Sequence, residues 1–265
     1  MTGAKIIDFK IVDWYARRAA AAYRDEAFIR AAFPNTLLVE MAPCQVQYFM
    51  ELDTQNKQQI VSVRGTDNLK NAREDADYVE ARNSNLGIYV HKGFEETSAQ
   101  IYQALKPHLQ ISCEVIVTGH SLGAAISTLL MMYLFEDGYK IGRSINFGQP
   151  KVTNSKGAEL FSFLPLLRVV DENDLVPLVP PDDFIDGIFG GYVHFGEEVI
   201  LLGGEYYVYE PVHLARTESV GAFWKNLGHE SVSEHYMKNY EKNIISKLNG
   251  AKQVPFSNRE NFIER

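Results

Sequence analysis

The alternation of apolar and polar positions divides the chain into segments of two different periods. From Ile11 to Phe33, in IVDWYARRAAAAYRDEAFIRAAF, apolar residues recur at helical spacing with no internal Pro or Gly, which predicts one long surface helix. Three strand-like runs follow: TLLVEMA, CQVQYFMEL and QQIVSVRG. Pro43 separates the first two and the polar turn DTQNK the last two. The spacing then predicts a helix near Gly93–Leu109, a strand at Glu114–Val117, and a helix from Ser121 to about Glu136 that Asp137-Gly138 ends. RSINFG and LLRVVD are further strands, with a helix near Asn154–Phe163 between them. VHFGEEVILL and EYYVYE meet at Gly203-Gly204 as a hairpin. Helices dominate from there to Lys247, and the tail GAKQVPFSNRENFIER is expected to be loose. Strands alternating with helices imply an α/β fold, a mostly parallel sheet covered by helices on both faces.

A length of 265 residues suits one α/β domain, so a single domain over residues 1–265 is expected. A net charge of −8 argues against nucleic acid or an anionic membrane patch as the working surface and favours a neutral substrate. Cys44 and Cys113 are too few for a disulfide framework and lack CxxC spacing. They are expected to be buried thiols, with one Cys44–Cys113 bridge left open for an exported protein. MTGAKIIDFK has no apolar leader and no window nears eighteen uninterrupted apolar residues, so a soluble chain is expected, secreted if a leader has been trimmed.

The chemistry concentrates at Gly119-His120-Ser121-Leu122-Gly123, where a Val-Ile-rich strand turns into an Ala-Leu-rich helix. Two glycines let neighbouring backbone pass close to a sharp turn that lifts the Ser121 hydroxyl above the sheet, with the helix N-terminus favouring negative charge there. Ser121 as a plain helix N-cap would not require the second glycine. A serine nucleophile needs a base held by a third group, and in sheet hydrolases the order is Ser, acid, His. LLRVVD runs into ENDLVPLVPP, which offers Asp171, Glu172 and Asp174; either aspartate could equally be a turn-former. Among the later histidines, His194 and His213 fit structural roles, whereas His229 and His235 are candidate bases. The oxyanion would be met by the Leu122 N–H and by an N–H after an early strand, for which Arg64-Gly65-Thr66 is the candidate.

These residues resemble the fungal-type triacylglycerol lipases, the class 3 lipases, from the first helix to about Asn249. The landmarks are VSVRGT, VHKGF, VTGHSLGAA, NFGQPKV, NDLVPLVPP and HYMKNY. The resemblance implies an α/β-hydrolase fold with a short lid after the oxyanion loop. It further implies that Ser121 is the nucleophile and Asp174, rather than Asp171, the acid. His235, followed five positions on by Tyr240, is the implied base, and Thr66 with Leu122 the oxyanion hole; His194 is not catalytic. The implied activity is hydrolysis of acylglycerols or other neutral fatty-acid esters at a possible lipid–water interface, with no metal, organic cofactor or protein partner. Phospholipase A1 and feruloyl-type esterase share that triad; a catalytically silent lipase-like scaffold is the non-enzyme alternative, although this chain keeps all three triad residues. The lid stretch, Asp67–Asn83, holds eight charged residues in seventeen, with Ala72 where the family commonly has tryptophan. Weak interfacial activation and short or medium acyl chains are therefore expected.

Overall fold

The computed structural model describes residues 5–42, 45–66, 80–179, 191–211 and 235–263. Strands β1 (Thr36–Met41), β2 (Gln47–Asp53) and β3 (Gln58–Val63) form an antiparallel meander. After it come β4 (Glu80–Asn83), β5 (Ile88–His91), β6 (Glu114–His120), β7 (Ser144–Phe147), β8 (Thr153–Asn154), β9 (Leu166–Asp171), β10 (Tyr192–Val193), β11 (Glu197–Leu201), β12 (Tyr206–Glu210) and β13 (Lys252–Gln253). Nine of these make one sheet in the order β1-β2-β3-β6-β7-β9-β11-β12-β13, whose centre from β3 to β11 is parallel. This is the mostly parallel α/β sheet that the alternation predicts. A smaller sheet, β10-β8-β5-β4, is built from strands of two to four residues. Segments that short carry no readable period, and the sequence gives no sign of them.

The central strands are buried on both faces, so β6 runs almost wholly apolar, EVIVTGH. Val115 and Val117 pack on one side with the helix Leu122–Glu136, while Ile116 faces the other side with Val12, Tyr15, Ala16, Tyr240 and Ile244. The first helical region is two helices, α1 (Phe9–Ala21) and α2 (Glu26–Ala32), instead of one over Ile11–Phe33. The alanine run continues the period across the break. The chain turns because the Asp25 carboxylate accepts the Phe28 N–H at 2.8 Å and starts a second helix. Helices α3 (Lys92–Leu105), α4 (Leu122–Glu136), α5 (Ser155–Leu160) and α6 (Met237–Lys247) follow. α4 is buried on nearly all sides, as its apolar sequence requires, and runs from Ser121 to the far end of the molecule. There Phe135 and Phe163 meet edge to face at the surface, rings 4.8 Å apart.

The tail is ordered where looseness is expected. β13 pairs in parallel with β12, and the 3-10 turn Phe256–Phe262 covers Val170, Ile200, Leu202 and Val208. The Gly203 N–H donates to the Phe262 carbonyl at 2.8 Å, and Arg259 pairs with Glu172 at 3.0 Å. Cys113 is a buried free thiol; Cys44 lies outside the described residues, as do most of the lid stretch (67–79) and the rival His229. Among the described residues, no helix is long and apolar enough to cross a membrane.

Candidate active site

Ser121 joins β6 to α4 at φ 58° and ψ −128°, a left-handed backbone that a serine adopts only when its surroundings force it. Its side chain makes no capping bond to the helix, in contrast to Asp8, Asp25 and Asn154 at the starts of α1, α2 and α5. The turn is held by close backbone packing. A Cβ on Gly123 would lie 2.2 Å from the Val63 carbonyl oxygen, and one on Gly119 would lie 2.4 Å from the Gly123 carbonyl oxygen. The two glycines therefore let the end of β3, the turn and the helix start share one small volume. A Cβ on Gly65 would come within 3.0 Å of Ser121 Cβ, which sets the neighbouring, half-buried Thr66 beside the serine. The Ser121 N–H is taken by the Phe147 carbonyl at 3.0 Å. The next N–H, that of Leu122, opens the helix and has no intrahelical acceptor.

Strand β9 ends at Asp171, and the loop beyond it brings Asp174 to His235. His235 Nδ1 lies 2.6 Å from Asp174 Oδ2, and both residues are buried. A carboxylate only accepts, so Nδ1 carries the proton and neutral His235 holds its lone pair on Nε2. That Nε2 is buried and makes no hydrogen bond among the described residues. Asp174 Oδ1 accepts the Val176 N–H at 2.9 Å, and Oδ2 also accepts the Tyr240 hydroxyl. Burial works against charge on Asp174. The facing His235, their hydrogen bond, the Tyr240 hydroxyl and the Val176 N–H outweigh it and hold the carboxyl below its usual range. Asp171 turns elsewhere: its Oδ2 accepts from Asn243 at 2.9 Å and its N–H donates to Tyr240 Oη at 3.1 Å. Tyr240 thus ties both aspartates to α6. His194 is buried with Nε2 2.7 Å from the Pro177 carbonyl oxygen.

Two residues that the sequence leaves without a part in the site lie against His235. Gly148, at φ 55°, would place a Cβ 2.8 Å from His235 Cε1 and 3.0 Å from Asp174 Oδ2. The His120 ring stands 4.7 Å from the His235 ring. The sequence shows His120 only as a flank of the serine, and nothing local marks its partner 115 residues away. Among the described residues, no group of three His, Cys, Asp or Glu side chains is placed to hold a metal ion.

Taken together, a strained serine at a helix start, a buried Asp-His pair with an open nitrogen, and N–H groups at the strand and helix ends can support acyl transfer. Comparison with known proteins points the same way. The family model described as "Lipase (class 3)" matches residues 60–184. A relative from Fusarium solani, "Secreted mono- and diacylglycerol lipase 1", is 31% identical over 172 residues, which cover 59% of this chain and 47% of that protein. The chain spans about half the length of that relative, and 39% of the "Lipase" of Rhizomucor miehei. Among solved structures, the lipase of Rhizopus microsporus var. chinensis superposes with a TM-score of 0.65 at 27% identity, covering 75% of this chain and 76% of that one. The Rhizomucor miehei triacylglyceride lipase superposes at 0.68 with 20% identity, covering 92% and 98%, a likeness of fold.

Proposed function

We propose that this chain, similar to the class 3 lipases over residues 60–184, is a member of that family and a serine carboxylester hydrolase cleaving acylglycerols or related neutral fatty-acid esters at a lipid–water interface. The supporting observation is the buried Asp174–His235 pair, 2.6 Å apart, whose proton assignment leaves Nε2 an unprotonated base on a ring 4.7 Å from that of His120, the residue before Ser121. His235 Nε2 takes the Ser121 proton as Oγ attacks the ester carbonyl. Asp174 holds the ring and stabilises the imidazolium. The Thr66 and Leu122 N–H groups bind the oxyanion, each such donor contributing about 3–4 kcal/mol to the transition state. The alcohol leaves with the proton from His235, and water activated by the same nitrogen then releases the acid. No metal or organic cofactor enters these steps. We read residues 1–265 as one hydrolase domain, and the Fusarium relative, named as secreted and for mono- and diacylglycerols, supports both export and the acylglycerol substrate class.

Ser121→Ala tests the reading. Turnover of a p-nitrophenyl ester should fall by at least about 10⁴-fold, and labelling by a fluorophosphonate should vanish, with circular dichroism unchanged. Hydrolysis persisting near the parental rate in S121A overturns it.

A further inference from the structure

Beside the Asp174–His235 pair, a second hydrogen-bonded chain runs through two side chains that the proposed triad does not use. His120 Nε2 lies 2.7 Å from the backbone carbonyl oxygen of His235, and His120 Nδ1 lies 2.8 Å from the Tyr23 hydroxyl. A carbonyl oxygen only accepts, so Nε2 of His120 carries the hydrogen; Nδ1 is then a lone pair, and the Tyr23 O–H must donate to it. The tautomer of His120 is thereby fixed by one partner at each nitrogen. His120 is buried, and burial together with the neighbouring His235 pushes its pKa down to about 3, so it stays a neutral ring beside the imidazolium that catalysis would form.

We propose that Tyr23 and His120 are positioning residues for the reaction assigned above: the Tyr23 hydroxyl fixes the Nε2–H form of His120, and that N–H pins the backbone of His235. The inference rests on the proposed role of His235. The base is then held at two points, its ring by Asp174 and its main chain by His120. The tether spans the molecule, since Tyr23 lies in the break between α1 and α2 while His120 immediately precedes the serine. It also touches the oxyanion strand. A Cβ at Gly65 would meet the Tyr23 hydroxyl at 2.4 Å and the His120 carbonyl oxygen at 2.5 Å, so Tyr23, the serine turn and the residue before Thr66 are packed as one unit. The interrupted first helix acquires a use from this. A continuous helix over Ile11–Phe33 would carry Tyr23 in mid-helix, whereas the break turns it at a chain bend toward His120.

The test uses Tyr23→Phe, His120→Leu, His120→Gln and the double variant Y23F/H120L, with kcat on a p-nitrophenyl ester expressed per site titrated by a fluorophosphonate. Glutamine places an amide N–H where the histidine Nε2–H stands, so H120Q is the rescuing variant. A tether that aligns the base predicts kcat lowered about 5- to 10-fold in Y23F and about 100-fold in H120L, with KM changed less than about twofold. H120Q should recover at least about tenfold over H120L, and Y23F should add no further loss in the H120L background, because the two act through one path. Parental kcat per site in both Y23F and H120L overturns the proposal, as does H120Q being as slow as H120L. Y23F removes a single oxygen and carries the test alone should H120L not fold. S121A inactive alongside full-rate Y23F and H120L defeats only the tether; an active S121A defeats the reading beneath it.

Discussion

Gly148 shows how little space surrounds the His235 ring. Its φ of 55° is one that side chains rarely adopt, and any Cβ would push into His235 Cε1 and Asp174 Oδ2 together. Gly148→Ala should displace the imidazole by a few tenths of an ångström or more and lower kcat about 100-fold, with KM nearly unchanged in steady-state kinetics. A kcat within a factor of two of the parent would show that the ring has room to spare. At this scale the sequence speaks unevenly. The proposed Ser121, Asp174 and His235 can be picked out because each sits in a landmark with its own chemistry. Asp171 is excluded in the structure by its bonds to Asn243 and Tyr240, contacts made by a helix some seventy residues downstream. Tyr23 carries no local signal, and Gly148 sits in the NFGQPKV landmark with nothing there to give it a part in the site: the constraint on each is a distance to a residue far along the chain.

At the scale of elements, long periodic segments are faithful to their sequence and short or sparsely apolar ones are not. β6 and α4 read clearly because burial on nearly all sides leaves few polar positions to confuse the period. The break after α1 is missed since Ala19 to Ala22 is equally at home in a helix, and only the Asp25 carboxylate, bonding to the Phe28 N–H, ends the run. The tail looks loose because Val254, Phe256 and Phe262 are spaced too irregularly to suggest an element, yet they close a separate apolar cluster beside β11 and β12. Phe262 lies against Tyr206, the rings tilted by 38° with centroids 4.3 Å apart. Phe262→Ala should therefore destabilise the fold by about 1–2 kcal/mol, less than a fully buried phenylalanine would, and lower the urea midpoint accordingly. An unchanged midpoint would mean that the segment rides on the sheet without supporting it. Because Arg259 pairs with Glu172 between the two loop aspartates, the same variant reports whether tail and acid loop are coupled: kcat should fall modestly if they are.

For the whole molecule, substrate range is the property that the fold leaves most open, since lipases, phospholipases A1 and feruloyl-type esterases can share this sheet and the proposed triad. The highly charged stretch after Thr66 offers little apolar area to trade at an oil surface, at about 25 cal/mol per Å². A series of p-nitrophenyl esters beside emulsified long-chain triglyceride and a phospholipid should show highest kcat/KM at short or medium acyl length, with no more than a few-fold jump above the triglyceride solubility limit. A rate on the emulsion far above that on soluble esters would reverse that expectation.

Helix α4 fixes an axis through the protein: Ser121 at one end, the Phe135–Phe163 pair at the other, separated by roughly 20 Å for fifteen residues at 1.5 Å each. Lys106 and Lys140, both exposed, stand at the Phe135 end. Coupling the protein to a solid support through those two amines would leave the Ser121 end facing outward into the reaction medium, whereas random attachment would turn it against the bead in a share of the molecules.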